Sequence, residues 1–244
     1  LIATSPAVAA ICDRLELDLV GVCSTSVSTI PERYEDLPEI GTAMSPDMEV
    51  IASLNPDWIL SPSSLQSDLQ PKYEAIHTDW AFLNLRSVQG MYQSIQELGE
   101  IFGKEEKAAE LEKEFTDFYE EYKTVNQGKE SPKVLILMGL PGENVYAGTD
   151  QEFLTVNTED MKSKEPDMIL CTAHALPEQV TKMFQEDFAT NDIWKHFDAV
   201  KNDKVYYLTY ELFGMSATFE YQKALQELQT ILYPDTQDEA KKGE

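Results

Sequence analysis

The chain has 244 residues, 42% hydrophobic and 10% aromatic, which is enough for a packed core and too many for a disordered chain. Asp and Glu number 44 against 19 Lys and Arg, and the resulting net charge of −25 repels phosphate backbones and argues against nucleic-acid binding. No apolar run approaches the roughly 18 residues a membrane span needs.

The opening Leu1-Ile2-Ala3-Thr4-Ser5-Pro6 reads as the end of a strand running into a helix. It has no start Met, basic n-region or cleavage site, so it reads as a mature or trimmed fragment whose targeting signal lies outside the chain. That helix start offers free backbone N–H groups to a carboxylate or phosphate, as every helix start does. Cys12, Cys23 and Cys171 are too few and too scattered for a disulfide framework or a zinc ribbon, and read as buried small apolar side chains.

The loop Gly41-Thr42-Ala43-Met44-Ser45-Pro46-Asp47 follows. Ser45 fits an N-cap with Pro46 at the first helical position, which leaves Met44 at a loop tip facing a cleft. A loop Met is usually a gap filler, but it is also a soft ligand for iron.

An internal repeat comes next. Residues 49–60, EVIASLNPDWIL, echo residues 159–170, EDMKSKEPDMIL, at an offset of 110. Glu49 matches Glu159, Ser53 matches Ser163, Pro56-Asp57 match Pro166-Asp167, and Ile59-Leu60 match Ile169-Leu170. In each copy a short helix stops before Pro, Asp follows, and a short apolar run reads as a buried parallel strand. A weaker echo links WAFLNLRSVQGM at 80–91 with VYYLTYELFGM at 205–215, both read as a strand and a turn ending Gly-Met.

Between the copies, residues 87–126 place Leu98, Ile101, Phe102, Ala108, Leu111, Phe115, Phe118 and Tyr122 mostly three and four apart. This pattern predicts one long amphipathic helix of roughly 60 Å that Gly103 bends or interrupts. Lys133-Val134-Leu135-Ile136-Leu137-Met138 then opens a second lobe. The predicted division is an α/β lobe at 1–86, a connecting helix at 87–127, an α/β lobe at 128–233 and a polar tail at 234–244. Ligands of such folds sit at strand-to-helix loops, here in the cleft between lobes.

Enzyme signatures are absent: there is no GxGxxG, GxxxxGK[ST], GxSxG or HExxH. His77 and His196 read as surface or helix-end residues. His174 closes a buried strand just before the helix start at Pro177-Glu178, a cleft-facing position where His commonly binds metal.

The segments IATSPAVAAI, GTAMSPDMEVIASLNPDWIL, PDMILCTAHALPEQV and ELFGMSA together resemble the haem-binding substrate-binding proteins of bacterial ABC importers, the IsdE-type haem-binding lipoproteins. The resemblance covers nearly the whole chain. It implies an α/β, periplasmic-binding-protein-like fold of two similar lobes joined by one long spanning helix, and a receptor, not an enzyme. It further implies non-covalent haem b held by Met44 and His174 from opposite lobes. Propionates would lie at Ser5, Ala7 and Val8, with Met215 near the haem. Glu49 would dock on basic residues of the permease, with Glu178 or Glu220 as its second-lobe counterpart. The implied partners are haem, the ABC permease and an upstream cell-surface haem-relay protein. The implied setting is a monomer on the outer face of the membrane, held by a lipid anchor outside this chain. Related receptors lacking the Met/His pair bind siderophores or corrinoids, which is the alternative; Arg33 is the basic candidate such a pocket would use. A two-lobe metalloenzyme is a further alternative that the cysteines do not support. Members usually run longer between KVLILM and ENVY, so a segment is expected to be missing between Gly142 and Glu143.

Overall fold

The structure is a computed structural model that describes residues 1–26, 28–139, 158–173 and 176–234. The chain divides into two compact units, Leu1–Gln127 with Ser216–Tyr221, and Gly128–Met215 with the residues from Gln222 onward.

In the first unit, β1 (Ile2–Ala3), α1 (Pro6–Arg14) and β2 (Gly21–Val22) are followed by a small hairpin, β3 (Gly41–Thr42) and β4 (Ser45–Pro46). Then come α2 (Met48–Leu54), β5 (Trp58–Pro62), α3 (Gln66–Ala75), β6 (Asp79–Leu83), α4 (Val88–Phe102) and α5 (Glu105–Asn126). The sheet runs β2-β1-β5-β6, all parallel. A parallel strand is covered on both faces, so it needs an apolar run and not an alternation. Ile59 and Leu60 of β5 accordingly have no exposed surface, and Ile59 packs with Ile2, Ile40, Ile51, Leu69 and Tyr73.

The second unit holds β7 (Val134–Gly139), α6 (Thr158–Ser163), β8 (Met168–Ala173), α7 (Pro177–Thr190), α8 (Asp198–Lys201), β9 (Val205–Tyr207) and α9 (Tyr210–Phe213). Its parallel sheet runs β7-β8-β9, with β8 buried along its whole length. Ile169 and Cys171 of β8 pack with Val180 and Phe184 of α7 and with Trp194 and Phe197. The last helix, α10 (Tyr221–Leu232), starts at the border between the units. Among the described residues no helix is long and apolar enough to cross a membrane.

The internal repeat is physical. Asn55 and Glu165, the residues before the repeated Pro, both take left-handed conformations, with φ 45 and 47. Each ends a short helix and turns the chain into the central strand of its sheet. The weaker echo also has a structural counterpart, since Ile59 pairs with Trp80 and its equivalent Ile169 pairs with Val205. Its turn does not hold in the first copy, where Gly90 and Met91 lie inside α4.

The single helix expected over 87–126 is corrected to two. Gly103 ends α4 at φ 66, and the Lys104 N–H closes on the Gly99 carbonyl at 2.7 Å. The chain then folds back. Gly99 abuts Ala108, Gln96 Nε2 donates to the Ala108 carbonyl at 3.0 Å, and Tyr92 stacks on Phe115 with centroids 4.7 Å apart. The apolar positions that suggested one long stripe are therefore two facing stripes of a helical hairpin. Glu105 and Glu106 start the second helix, where carboxylates favour the N-terminal dipole. Both helices belong to the first unit.

The sign of Gly103→Ala tests this. In a continuous helix Ala gains stability over Gly, by about 1 kcal/mol. At a left-handed cap the added Cβ costs about 1 kcal/mol. A lowered melting midpoint is expected, and a raised one would restore the single helix. The expected segment loss between Gly142 and Glu143 and the tail from 235 onward lie outside the described residues.

Candidate functional site

Ligands of open parallel sheets collect beyond the carboxyl ends of the strands. In the first unit that edge is built on a buried chain of hydroxyls. Thr4 Oγ1 lies 2.7 Å from Ser61 Oγ, which lies 2.9 Å from the Tyr73 hydroxyl. Burial pushes the Tyr73 phenol above its usual range, against the hydrogen bonds from Ser61 and Thr4, so it stays protonated. These bonds tie the residue after β1 and the end of β5 to α3.

Ser5 follows directly and caps α1, its Oγ accepting from the Val8 N–H at 3.3 Å. Pro6 has no N–H, so Ala7 carries the first-turn donor that the helix itself cannot satisfy. The Val8 side chain is fully buried and supports the helix from beneath. The three residues expected together at this helix start are thus one cap, one open donor and one core anchor.

Met44 is 77% exposed, the most exposed large apolar side chain of the described residues. It occupies the two-residue turn between β3 and β4, and that hairpin is pinned. Asp47 N–H donates to the Ile40 carbonyl at 2.7 Å, Ile40 N–H to Val22 at 2.9 Å, and Ser24 N–H to Gly41 at 2.9 Å. Gly41 sits at φ 85, where a Cβ would lie 2.8 Å from the Ser45 carbonyl, so only glycine fits. A gap-filling Met would be buried; this one is presented to solvent on a braced loop. The expected cap moves by two residues. Ser45 and Pro46 form β4, and Asp47 caps α2, its Oδ1 accepting from Glu49 N–H at 3.0 Å and Val50 N–H at 3.1 Å. A carboxylate oxygen that takes two N–H groups outcompetes a serine hydroxyl that takes one. Glu49 stands exposed in the first turn of α2.

In the second unit, His174 lies outside the described residues. The strand that carries the chain to it is firmly held. Thr172 Oγ1 donates to the Phe213 carbonyl at 3.0 Å, and Leu208 N–H donates to the Cys171 carbonyl at 2.8 Å. The first of these bonds fixes the segment that ends in Gly214 and Met215. Met215 is 49% exposed. Glu178 is exposed in the first turn of α7, and Glu220 is exposed next to α10. His77 and His196 are exposed at a helix end and in a 3-10 turn, as expected.

Two basic residues need correction. Arg33 is committed, its Nη2 2.6 Å from Asp18 Oδ1. Arg86, passed over in the sequence, follows β6 at the carboxyl edge of the first sheet; it is exposed and has no ion-pair partner among the described residues. The available signal was its position, three residues past strand β6 and just before the Ser87 cap of α4.

The cysteines are free and buried. Burial pushes the Cys12, Cys23 and Cys171 thiols up to about 12. At pH 8 only about one thiol in 10,000 would be ionised. A thiol-specific dye should therefore label none of the three in the native protein and all three in denaturant. Fast native labelling of any one would contradict this burial. Among the described residues no cluster of His, Cys, Asp and Glu fits a metal ion.

The periplasmic binding protein family profile matches residues 1–150 and 136–212. The chain is 38% identical to the high-affinity heme uptake system protein IsdE of Staphylococcus aureus strain Newman, over 96% of this chain and 87% of that one. That alignment runs over 257 residues, more than the chain's 244, so the relative carries residues this chain lacks. A crystal structure of an ABC transporter substrate-binding protein from Listeria monocytogenes EGD-e superposes with TM-score 0.86 at 41% identity, covering 96% of this chain and 98% of that one. The crystal structure of S. aureus IsdE complexed with heme superposes with TM-score 0.82 at 37% identity, covering 95% and 98%.

Proposed function

Because the chain belongs to the periplasmic binding protein family, we propose that it is the haem receptor of an ABC importer, with the iron held by Met44 from one unit and His174 from the other. The observation that carries this reading is the braced, solvent-presented Met44. A thioether there is neutral, soft and free of competing partners, which suits an axial position on haem iron. The carboxyl edge beside it supplies groups for the propionates: the Ala7 N–H at the α1 start, the Ser5 hydroxyl and the unpaired Arg86 guanidinium. Met215 would contact the porphyrin.

The protein binds and releases; nothing in this role requires a chemical step. Haem b would be held by coordination and contacts alone, since no cysteine pair suits covalent attachment. Delivery to the permease would use the exposed Glu49 and Glu178, which meet basic residues and mainly steer encounter and register. The chain would act as a monomer on the outer face of the cell membrane, lipid-anchored through residues outside this sequence, and receive haem from a surface relay protein.

A ferric-siderophore receptor would need several free cations for an anionic chelate. Of the two arginines in the first unit's loops, Arg33 is already bound to Asp18, which leaves Arg86. Titration of haem into the purified protein decides between the two. A shifted Soret band saturating at one haem per chain is expected; no band shift, with quenching by a ferric siderophore instead, would overturn the reading. Glu49→Arg should impair uptake by cells while leaving that titration unchanged.

A further inference from the structure

The opposite edge of the second sheet carries a cavity of ≈ 550 Å³. It lies where β7, β8 and β9 begin, away from the carboxyl edge discussed above. Lys133 precedes β7, Asp167 precedes β8 and Lys204 precedes β9; Lys162 of α6, Glu165, His196, and Asp198 and Lys201 of α8 complete the charged wall, over Phe197 and Pro166.

What sets the cavity apart is that several unpaired lysines line one space. Outside it Lys107, Lys113, Lys123, Lys182 and Lys195 form ion pairs, while Lys72 and Lys104 have none among the described residues. Within the cavity Lys201 holds Asp198 at 2.8 Å, and Asp167 Oδ2 accepts the Lys133 backbone N–H at 2.7 Å. Asp198 is thus paired with Lys201, while Asp167 and Glu165 keep their charges without a lysine partner, two carboxylates against the three remaining lysines. Lys133, Lys162 and Lys204 have no ion-pair partner among the described residues. The field of Lys162 also reaches inward: after Lys201, it helps hold the Asp198 carboxyl below its usual range.

The geometry points to a binding site for a phosphate-bearing anion in this cavity, gripped by the ammonium groups of Lys133, Lys162 and Lys204. Three unpaired lysines lining one cavity suit a phosphate, which lysine meets as a point charge. The cavity falls within the range of ligand sites and has room for an ester group beyond the phosphate itself. A net charge of −25 disfavours anions in general, so an anion binds where positive charge is locally concentrated.

The test uses the whole chain, haem-free and isotope-labelled. Sodium phosphate is titrated against sodium chloride at equal ionic strength while backbone amides are followed by NMR. In parallel, phosphatidylglycerol vesicles are compared with phosphatidylcholine vesicles by co-sedimentation. Saturable shifts at Asp167, Asp198 and Lys204 with phosphate but not chloride are expected. The triple variant Lys133→Gln/Lys162→Gln/Lys204→Gln, which changes only exposed side chains, should weaken binding about tenfold or more. Binding of phosphatidylglycerol vesicles without binding of free phosphate would assign the phosphate to a lipid headgroup. Shifts that chloride reproduces, an undiminished triple variant, or no response to either probe would overturn the site. Haem titration of the triple variant should match the wild type, so this result stands apart from the haem reading.

Discussion

Haem affinity should fall about 100-fold in His174→Ala, roughly 2.7 kcal/mol, and about tenfold in Met44→Ala, roughly 1.4 kcal/mol. The inequality follows from ligand chemistry. Imidazole is the stronger donor to ferric iron, whereas a thioether is a weak donor that favours the ferrous state. Met44→Ala should not unfold the protein: Met44 is 77% exposed, and its hairpin is held by backbone bonds that the substitution leaves in place. The spectrum separates ligation from packing. A Met44 that binds iron leaves an open axial position when removed, and the low-spin bands of the wild type should give way to high-spin ones. Unchanged bands in Met44→Ala would remove it from the coordination sphere and turn attention to Met215, 49% exposed beyond the Gly214 turn. Equal losses in the two variants would contradict this ranking.

What could be read from the sequence depended on how locally each feature is encoded. The repeat is legible because each copy packs its instructions into twelve residues: a helix, a residue bent by the following proline, an aspartate and a buried strand. Asn55 and Glu165 realise that grammar with matching left-handed backbones. The helical hairpin was harder. Gly103 is compatible with a bend or a stop, and both helices bury one stripe, so periodicity alone does not register the reversal. The cap at Asp47 was hidden by a competing Ser-Pro pair that the fold uses in a strand instead. Arg86 was missed because its meaning is positional: it matters as the unpaired cation at the edge of a sheet whose order no short motif reveals. The exposure of Met44 likewise comes from the pinning of its hairpin to β2, a contact about twenty residues distant in the chain.

The same repeat sets the largest stability effects. Ile59 and Ile169 are equivalent positions in the central strands β5 and β8, and neither has any exposed surface. Replacing either with Ala removes buried methyl groups from a close-packed site and leaves a cavity, at a cost of about 3 kcal/mol. The two losses should fall in different places. Ile59 packs with Ile2, Ile40, Ile51, Leu69 and Tyr73, all in the first unit, and Ile169 with Leu137, Val180, Phe184 and Trp194, all in the second. Hydrogen exchange should show Ile59→Ala lowering protection of the β1, β5 and β6 amides, and Ile169→Ala that of β7, β8 and β9. A chain of two units need not unfold in one step, so site-resolved exchange is a sounder measure here than a single melting midpoint. With no shared partners, the two costs should also add in the double variant to within about 0.5 kcal/mol. Loss of protection spread evenly over both sheets from either single variant would mean that the units stand or fall together, and the duplicated core would then be one cooperative structure.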